Sequence, residues 1–254
     1  HQATALEGAD GAPLARIEQV MRRQHGAEQH HPDEVVELAA GTQFQAEELK
    51  HRNAGKSGMA AKELEVRLTH LLEMRGIGLV TGDSGSGKTC GARRVLAQLH
   101  SSLYRVCYVC LSTGNVMDLY KTISWEMGLP VERSRAALFR QIRTEVTRLV
   151  SEARCRPVLV IDEAHHLRPD VLEDLRLLTN YKMDAENRLC LLLLGQTELR
   201  RRLAMAVHEA LSQRIVVRYH LPALARDEVP AYLSHRMLRA GTKLPLFEPA
   251  AHEA

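Results

Sequence analysis

No apolar run in this chain approaches the ~20 residues a helix needs to cross a bilayer, so a membrane-spanning segment is not expected. The first residue is His1, and no secretory signal follows it. Charge imbalance is small. A net charge of +3 is too little to argue for a nucleic-acid partner by itself. Cysteine is sparse: the five (Cys90, Cys107, Cys110, Cys155, Cys190) sit in apolar or helix-forming surroundings. They read as small buried residues of a reducing compartment, which points to the cytoplasm and away from a disulfide scaffold. Cys107 and Cys110 spell C-x-x-C inside an expected strand, where residues three apart face opposite sides; that argues against a zinc or redox pair.

What is present is ordinary in composition and specific in pattern. With 45% apolar and 26% charged residues over 254 positions, the chain has room for one large globular domain, or one domain and a small companion. The stretch Gly82-Asp83-Ser84-Gly85-Ser86-Gly87-Lys88-Thr89 fits G-x-x-x-x-G-K-[ST], the phosphate-binding P-loop. Ile77-Gly78-Leu79-Val80 precedes it as a short buried strand, and a helix-competent run from Ala92 to Leu99 follows. Strand, glycine-rich turn and helix are the context the motif needs. The glycines let successive backbone N–H groups converge on phosphate oxygens, and the new helix offers its positive end to the same anion. Lys88 supplies a point charge, and the Thr89 hydroxyl is suited to ligate Mg²⁺. Gly82, Ser84, Gly85, Ser86, Gly87, Lys88, Thr89 and the adjoining Cys90 are the expected nucleotide-binding residues. A second G-K-S at Gly55-Lys56-Ser57 fails the same test, because Lys50 stands where the first glycine belongs and no apolar strand precedes it.

Further along, strands apolar on both faces alternate with helices. Strands are expected at 77–81, 105–111, 157–161, 189–194 and 215–219. Helices are expected at 62–74, 87–100, 115–127, 134–153, 169–180, 197–210 and 227–240. This is the signature of an α/β fold with a parallel sheet covered on both sides. Residues 1–58 are poor in large apolar residues and are expected to form a weakly structured extension, with helix possible at 14–23 and 32–50. The nucleotide-binding domain is expected over 59–221, and 222–254 reads as the start of a smaller helical unit.

Val158-Leu159-Val160-Ile161-Asp162-Glu163 is an apolar strand ending in two acids, the Walker B partner of the P-loop. Asp162 at the strand tip is placed to hold Mg²⁺, and Glu163 to orient and deprotonate an attacking water, which points to hydrolysis rather than nucleotide storage. The letters run on as Asp162-Glu163-Ala164-His165, but no other helicase motif accompanies them, and His165 and His166 read as structural or near-site polar residues. Gln196 ends another buried strand, either as a γ-phosphate sensor or as a plain loop residue. Arg214 opens the fifth strand, either as an arginine finger reaching a neighbouring subunit or as a structural arginine. Arginines at 93, 94, 133, 135, 140, 143, 148 and 200–202 offer candidate phosphate contacts, though Glu132, Glu145 and Glu152 lie among them.

Four blocks, TGDSGSGKT, VLVIDEAHHL, LLLLGQTELRRRL and LSQRIVVRYHLPAL…YLSHRMLRAG, make the chain resemble an AAA+ ATPase from roughly Lys62 onward. The likeness is to the ExeA/TnsC-type branch, which includes general secretion pathway protein A and is related to Cdc6/ORC-like and MuB-like ATPases. The resemblance implies sheet order 5-1-4-3-2 followed by a helical lid, here expected to be truncated at Ala254. It implies ATP and Mg²⁺ as ligands, Gln196 as sensor 1 (where Asn, Ser or Thr is more common) and Arg214 as the trans-acting arginine. It also implies a homo-oligomeric ring or filament that binds double-stranded DNA under ATP control and recruits or stimulates a transposase. The alternatives are a secretion or cell-envelope ATPase and a signalling NTPase switch without a DNA role.

Overall fold

The computed structural model describes residues 57–110, 115–183 and 185–241, all in the second of two units, which spans 51–254. The helices expected at 14–23 and 32–50 lie outside the described residues. In chain order the elements are α1 (Ser57–Met74), β1 (Ile77–Thr81), α2 (Lys88–Ala97), β2 (Tyr104–Cys110), α3 (Val116–Glu126) and α4 (Arg135–Ser151). They continue with β3 (Arg156–Asp162), α5 (Pro169–Thr179), β4 (Cys190–Gly195), α6 (Thr197–Leu203), α7 (Glu209–Ser212), β5 (Ile215–His220) and α8 (Val229–Arg239).

All strand pairings are parallel, in the order β2-β3-β4-β1-β5, as the resemblance implied. Strand side chains alternate between two faces, and both faces are covered. Leu79, Val109, Leu159, Ile161, Leu191 and Leu193 pack with α3, α4 and α5 through Leu119, Ile123, Leu138, Ile142, Val171 and Leu175. The intervening residues Val80, Val158, Val160, Leu192, Leu194 and Val217 meet α1 and α2 through Leu64, Leu68, Leu71, Ala92 and Val95. Two-sided burial is why the strand sequences read as continuous apolar runs.

The α1 face anticipated from Leu64, Leu68, Leu71 and Leu72 is buried. The helix begins five residues earlier than expected, and its first turns are tied to the sheet edge by Tyr219, whose hydroxyl donates to the Ala60 carbonyl at 3.0 Å. The helix expected over 197–210 is broken. It stops at Leu203, makes a 3-10 turn at Ala206–His208 and resumes as α7. A straight continuation would carry Val207 and Ala210 below Leu199 and Leu203, yet both are exposed; the chain turns instead so that His208 and Leu211 are buried.

Two predictions follow from these burial patterns. Leu68→Ala removes a fully buried side chain and should cost about 2–5 kcal/mol in urea unfolding, whereas Val66→Ala on the 64% exposed face of the same helix should leave the midpoint nearly unchanged. On β2, Cys107 is buried, and burial pushes its thiol up to about 11, while Cys110 faces outward. Iodoacetamide at neutral pH should therefore label Cys110 well before Cys107 in the native protein, as read by peptide mass spectrometry; equal rates would contradict the strand orientation.

Candidate nucleotide site

The parallel register brings the ends of four strands, β1, β2, β3 and β4, to one edge of the sheet. Thr81 pairs with Gly195, Ile161 with Leu193, and Cys110 with Asp162. The loop after β1 is stitched to its neighbours: the Gly82 amide donates to the Gly195 carbonyl at 3.3 Å, and Thr197 Oγ1 donates to Asp83 Oδ1 at 3.0 Å. On the other side the Leu221 amide donates to the Thr81 carbonyl at 2.7 Å, so the segment leaving β5 passes close to Gly82. A Cβ at Gly82 would stand 2.5 Å from the Leu221 carbonyl oxygen and 2.7 Å from Ser86 Oγ, so any side chain there displaces backbone. Gly87, at φ 93°, takes the left-handed conformation that opens α2 and is open to glycine at little cost.

Lys88 is buried, and its Nζ donates to the carbonyls of Gly82 at 2.9 Å and Asp83 at 2.7 Å. Ser86 Oγ is buried without a hydrogen-bond partner. A cationic side chain folded onto its own loop, an orphaned hydroxyl and the N-terminus of a ten-residue helix make a concentrated donor set for an anion, so the residues present fit a phosphate group. Ser84 and Gly85 lie at the exposed crest of the loop, and Cys90 is half-buried inside the first turn of α2.

Asp162 is 3% exposed and accepts three hydrogen bonds. Its Oδ2 takes Thr89 Oγ1 and the Tyr108 hydroxyl, each at 2.7 Å, and its Oδ1 takes the Glu163 amide at 2.8 Å. A carboxylate and a threonine hydroxyl side by side form an oxygen donor pair of the type Mg²⁺ takes. Burial, together with the bond to Asp162, raises the Tyr108 phenol, so it remains a donor. Tyr108 was missed in the sequence because its partner is set by strand pairing, which no local pattern encodes.

Glu163 adopts a left-handed conformation at φ 53°, a strained state for a non-glycine residue, worth on the order of 1 kcal/mol. The strain turns its half-exposed carboxylate back over the strand tip, where Oε2 lies 3.2 Å from His165 Nδ1. The same Nδ1 lies 3.4 Å from the Gln196 amide nitrogen. One ring nitrogen serves one of these at a time: carrying a proton it donates to Glu163, and bare it accepts from Gln196. Burial, and then the neighbouring His166, hold the His165 imidazole below its ordinary range. Arg202 locks the turn beneath, donating to the carbonyls of His165 at 2.6 Å and Leu167 at 2.5 Å.

Gln196 thus stands at the same sheet edge as the P-loop and Glu163, with its side chain exposed. Arg214 does not. It precedes Ile215, which pairs with Ile77 at the far end of β1. At about 3.3 Å per strand residue, the length of β1 separates it from its own P-loop. Its charge instead lowers the Glu173 carboxyl on α5, after the larger effect of Arg176. Several arginines considered for DNA have partners within the chain: Arg135 pairs with Asp174 at 2.5 Å, Arg148 with Glu145 at 2.7 Å, and Arg143 donates to the Leu177 and Asn180 carbonyls.

Among the described residues no helix is long and apolar enough to cross a membrane. Residues 71–203 match the AAA domain family, AAA_22. Over 178 residues the chain is 38% identical to General secretion pathway protein A of Aeromonas hydrophila, an alignment that covers 69% of this chain and 32% of that protein. The chain therefore spans about a third of that relative's length. Among solved structures, the ORC1 protein of Aeropyrum pernix in complex with DNA superposes with TM-score 0.58 at 21% identity, over 78% of this chain and 52% of that one. Cdc6p from Pyrobaculum aerophilum gives TM-score 0.56 at 20% identity, over 74% and 49% of the two chains. Both likenesses are of fold. With the P-loop, the paired acids and the sheet order in place, the chain belongs to the AAA domain family of P-loop proteins, in the branch of general secretion pathway protein A.

Proposed function

We propose that this chain binds and hydrolyses MgATP and uses the ATP-bound state to assemble on double-stranded DNA, where it recruits or stimulates a transposase. The observation that carries the hydrolytic part is the cluster of Lys88, Thr89, Asp162 and Glu163 at one sheet edge. Lys88 Nζ exchanges its loop carbonyls for phosphate oxygens, and the amides from Gly85 to Thr89 take the remaining phosphate charge. Mg²⁺, when bound, would supply positive charge that offsets the charge of the phosphates. Thr89 and Asp162 would hold it, with Tyr108 keeping the Asp162 carboxylate in place. Glu163 orients the attacking water and accepts its proton. Gln196 senses the terminal phosphate, and Arg214, remote from its own loop, completes the site of a neighbouring subunit in a ring or filament.

Support for the DNA part comes from the resemblance to transposition helpers, from exposed arginines at 133, 140, 200 and 201, and from the DNA complex formed by the ORC1 protein of like fold. A secretion or cell-envelope ATPase is the second reading, favoured by the 38% identity to General secretion pathway protein A. Binding of a fluorescent duplex with ATP, with ADP and without nucleotide separates the two: ATP-dependent binding supports the DNA role, and its absence moves the reading to the envelope ATPase.

Lys88→Ala should abolish nucleotide binding, measured by fluorescent-ATP titration; tight binding by this variant would remove the P-loop assignment. Glu163→Gln should bind ATP but lose about 100-fold or more in turnover. Arg214→Ala should lose activity as a homo-oligomer and regain part of it when mixed with Lys88→Ala subunits, since each then supplies what the other lacks. Absence of rescue would argue for a role within its own subunit.

A further inference from the structure

Glu163, His165 and His166 come from a single tight turn and offer three ligand atoms that all lie within 4.8 Å of one another. The turn is closed by the His166 amide donating to the Glu163 carbonyl at 2.9 Å, so the three side chains cannot drift apart along the chain. His165 and His166 rings are 4.0 Å apart between centroids. The gap of 3.2 Å between Glu163 Oε2 and His165 Nδ1 is close to the separation of two ligands on one tetrahedral zinc, about 3.3 Å for bonds near 2.0 Å. His166 is exposed and has the freedom to turn its ring onto an ion held by the other two.

The donor chemistry differs from that of the neighbouring magnesium position. Thr89 and Asp162 offer oxygen alone, which suits a hard cation, whereas two imidazoles and one carboxylate suit zinc and its neighbours and hold Mg²⁺ poorly. Three protein ligands with a fourth position open to solvent is also a coordination pattern zinc accepts without further help from the chain.

We propose that Glu163, His165 and His166 form a binding site for a divalent transition-metal ion of the zinc class, separate from the magnesium position, and that its occupancy halts turnover by taking the Glu163 carboxylate. Metal held there removes the carboxylate from water activation. It also draws His165 away from the Gln196 amide, loosening a hydrogen bond between the Walker B turn and the residue that follows β4. The inhibitory half of the proposal rests on Glu163 being the general base; the binding half does not.

The test separates the two. Nucleotide-free full chain is titrated with Zn²⁺ against a chromophoric chelator, and with Co²⁺ followed by visible absorption, alongside H166A and E163Q, with circular dichroism as the control for folding. His166 is exposed, so H166A should fold. Other histidines and cysteines of the chain bind equally in all three proteins, so the difference between them reports this site. The expected result is one tight equivalent lost, or weakened at least about tenfold, in both variants, with cobalt bands of nitrogen and oxygen ligation and no thiolate charge transfer in the difference spectrum. Identical titrations for wild type and H166A, or a thiolate band in the difference spectrum, would overturn the site. ATPase rates, each normalised to the same protein without zinc, should fall with zinc in the wild type and require about tenfold more zinc in H166A. Equal sensitivity would overturn the inhibitory half. A chain that binds zinc here but hydrolyses no ATP without it would refute the hydrolytic reading and leave the metal site standing.

Discussion

A single buried carboxylate organises the functional edge of this protein. Asp162 is almost fully excluded from solvent, and a charge so placed is tolerable only when its oxygens are satisfied. Its three donors come from different parts of the chain: Thr89 from the first turn of α2, Tyr108 from β2 and the amide of Glu163 from the turn after β3. The P-loop helix, the edge strand and the Walker B turn are thereby held in one arrangement. Glu163, directly after Asp162, adopts a left-handed backbone, and its carboxylate lies beside His165. Lys88, Thr89 and Glu163 converge because the sheet and this carboxylate leave them little alternative.

The parallel sheet also separates roles along its length. Everything at the carboxyl ends of β1, β3 and β4 is within a few residues of the phosphate loop, whereas Arg214, at the entrance to β5, lies a full strand away. On the proposed reading this is the physical reason for assembly: one subunit holds the nucleotide and the base, and the arginine that completes the site comes from another. The nearby Arg202 is spent on the carbonyls of His165 and Leu167 and keeps the Walker B turn in shape.

Most of the architecture was legible in the sequence because its signals are local or periodic. The P-loop needs only consecutive residues, the strands needed only apolar runs, and the α1 face needed only a helical repeat of leucines. Signals that depend on strand register were not legible. Tyr108 reads as one more β-prone residue until the pairing of β2 with β3 places it beside Asp162. The break between α6 and α7 was missed because residues 197–210 contain neither Gly nor Pro; tertiary burial of His208 and Leu211 overrides local helix propensity there. The sequence reads His165 as a structural or near-site polar residue, and its position between Glu163 and Gln196 emerges only from the fold.

The most direct test of the central claim, that this strand edge is built to hold a magnesium nucleotide, is a calorimetric titration of the full chain with ATP in Mg²⁺ and again in excess chelator. The account predicts one ATP per chain, bound markedly more weakly when Mg²⁺ is removed, because Thr89 and Asp162 contribute through the metal while Lys88 and the loop amides act directly on phosphate. Absence of ATP binding under either condition, or an affinity indifferent to Mg²⁺, would contradict it.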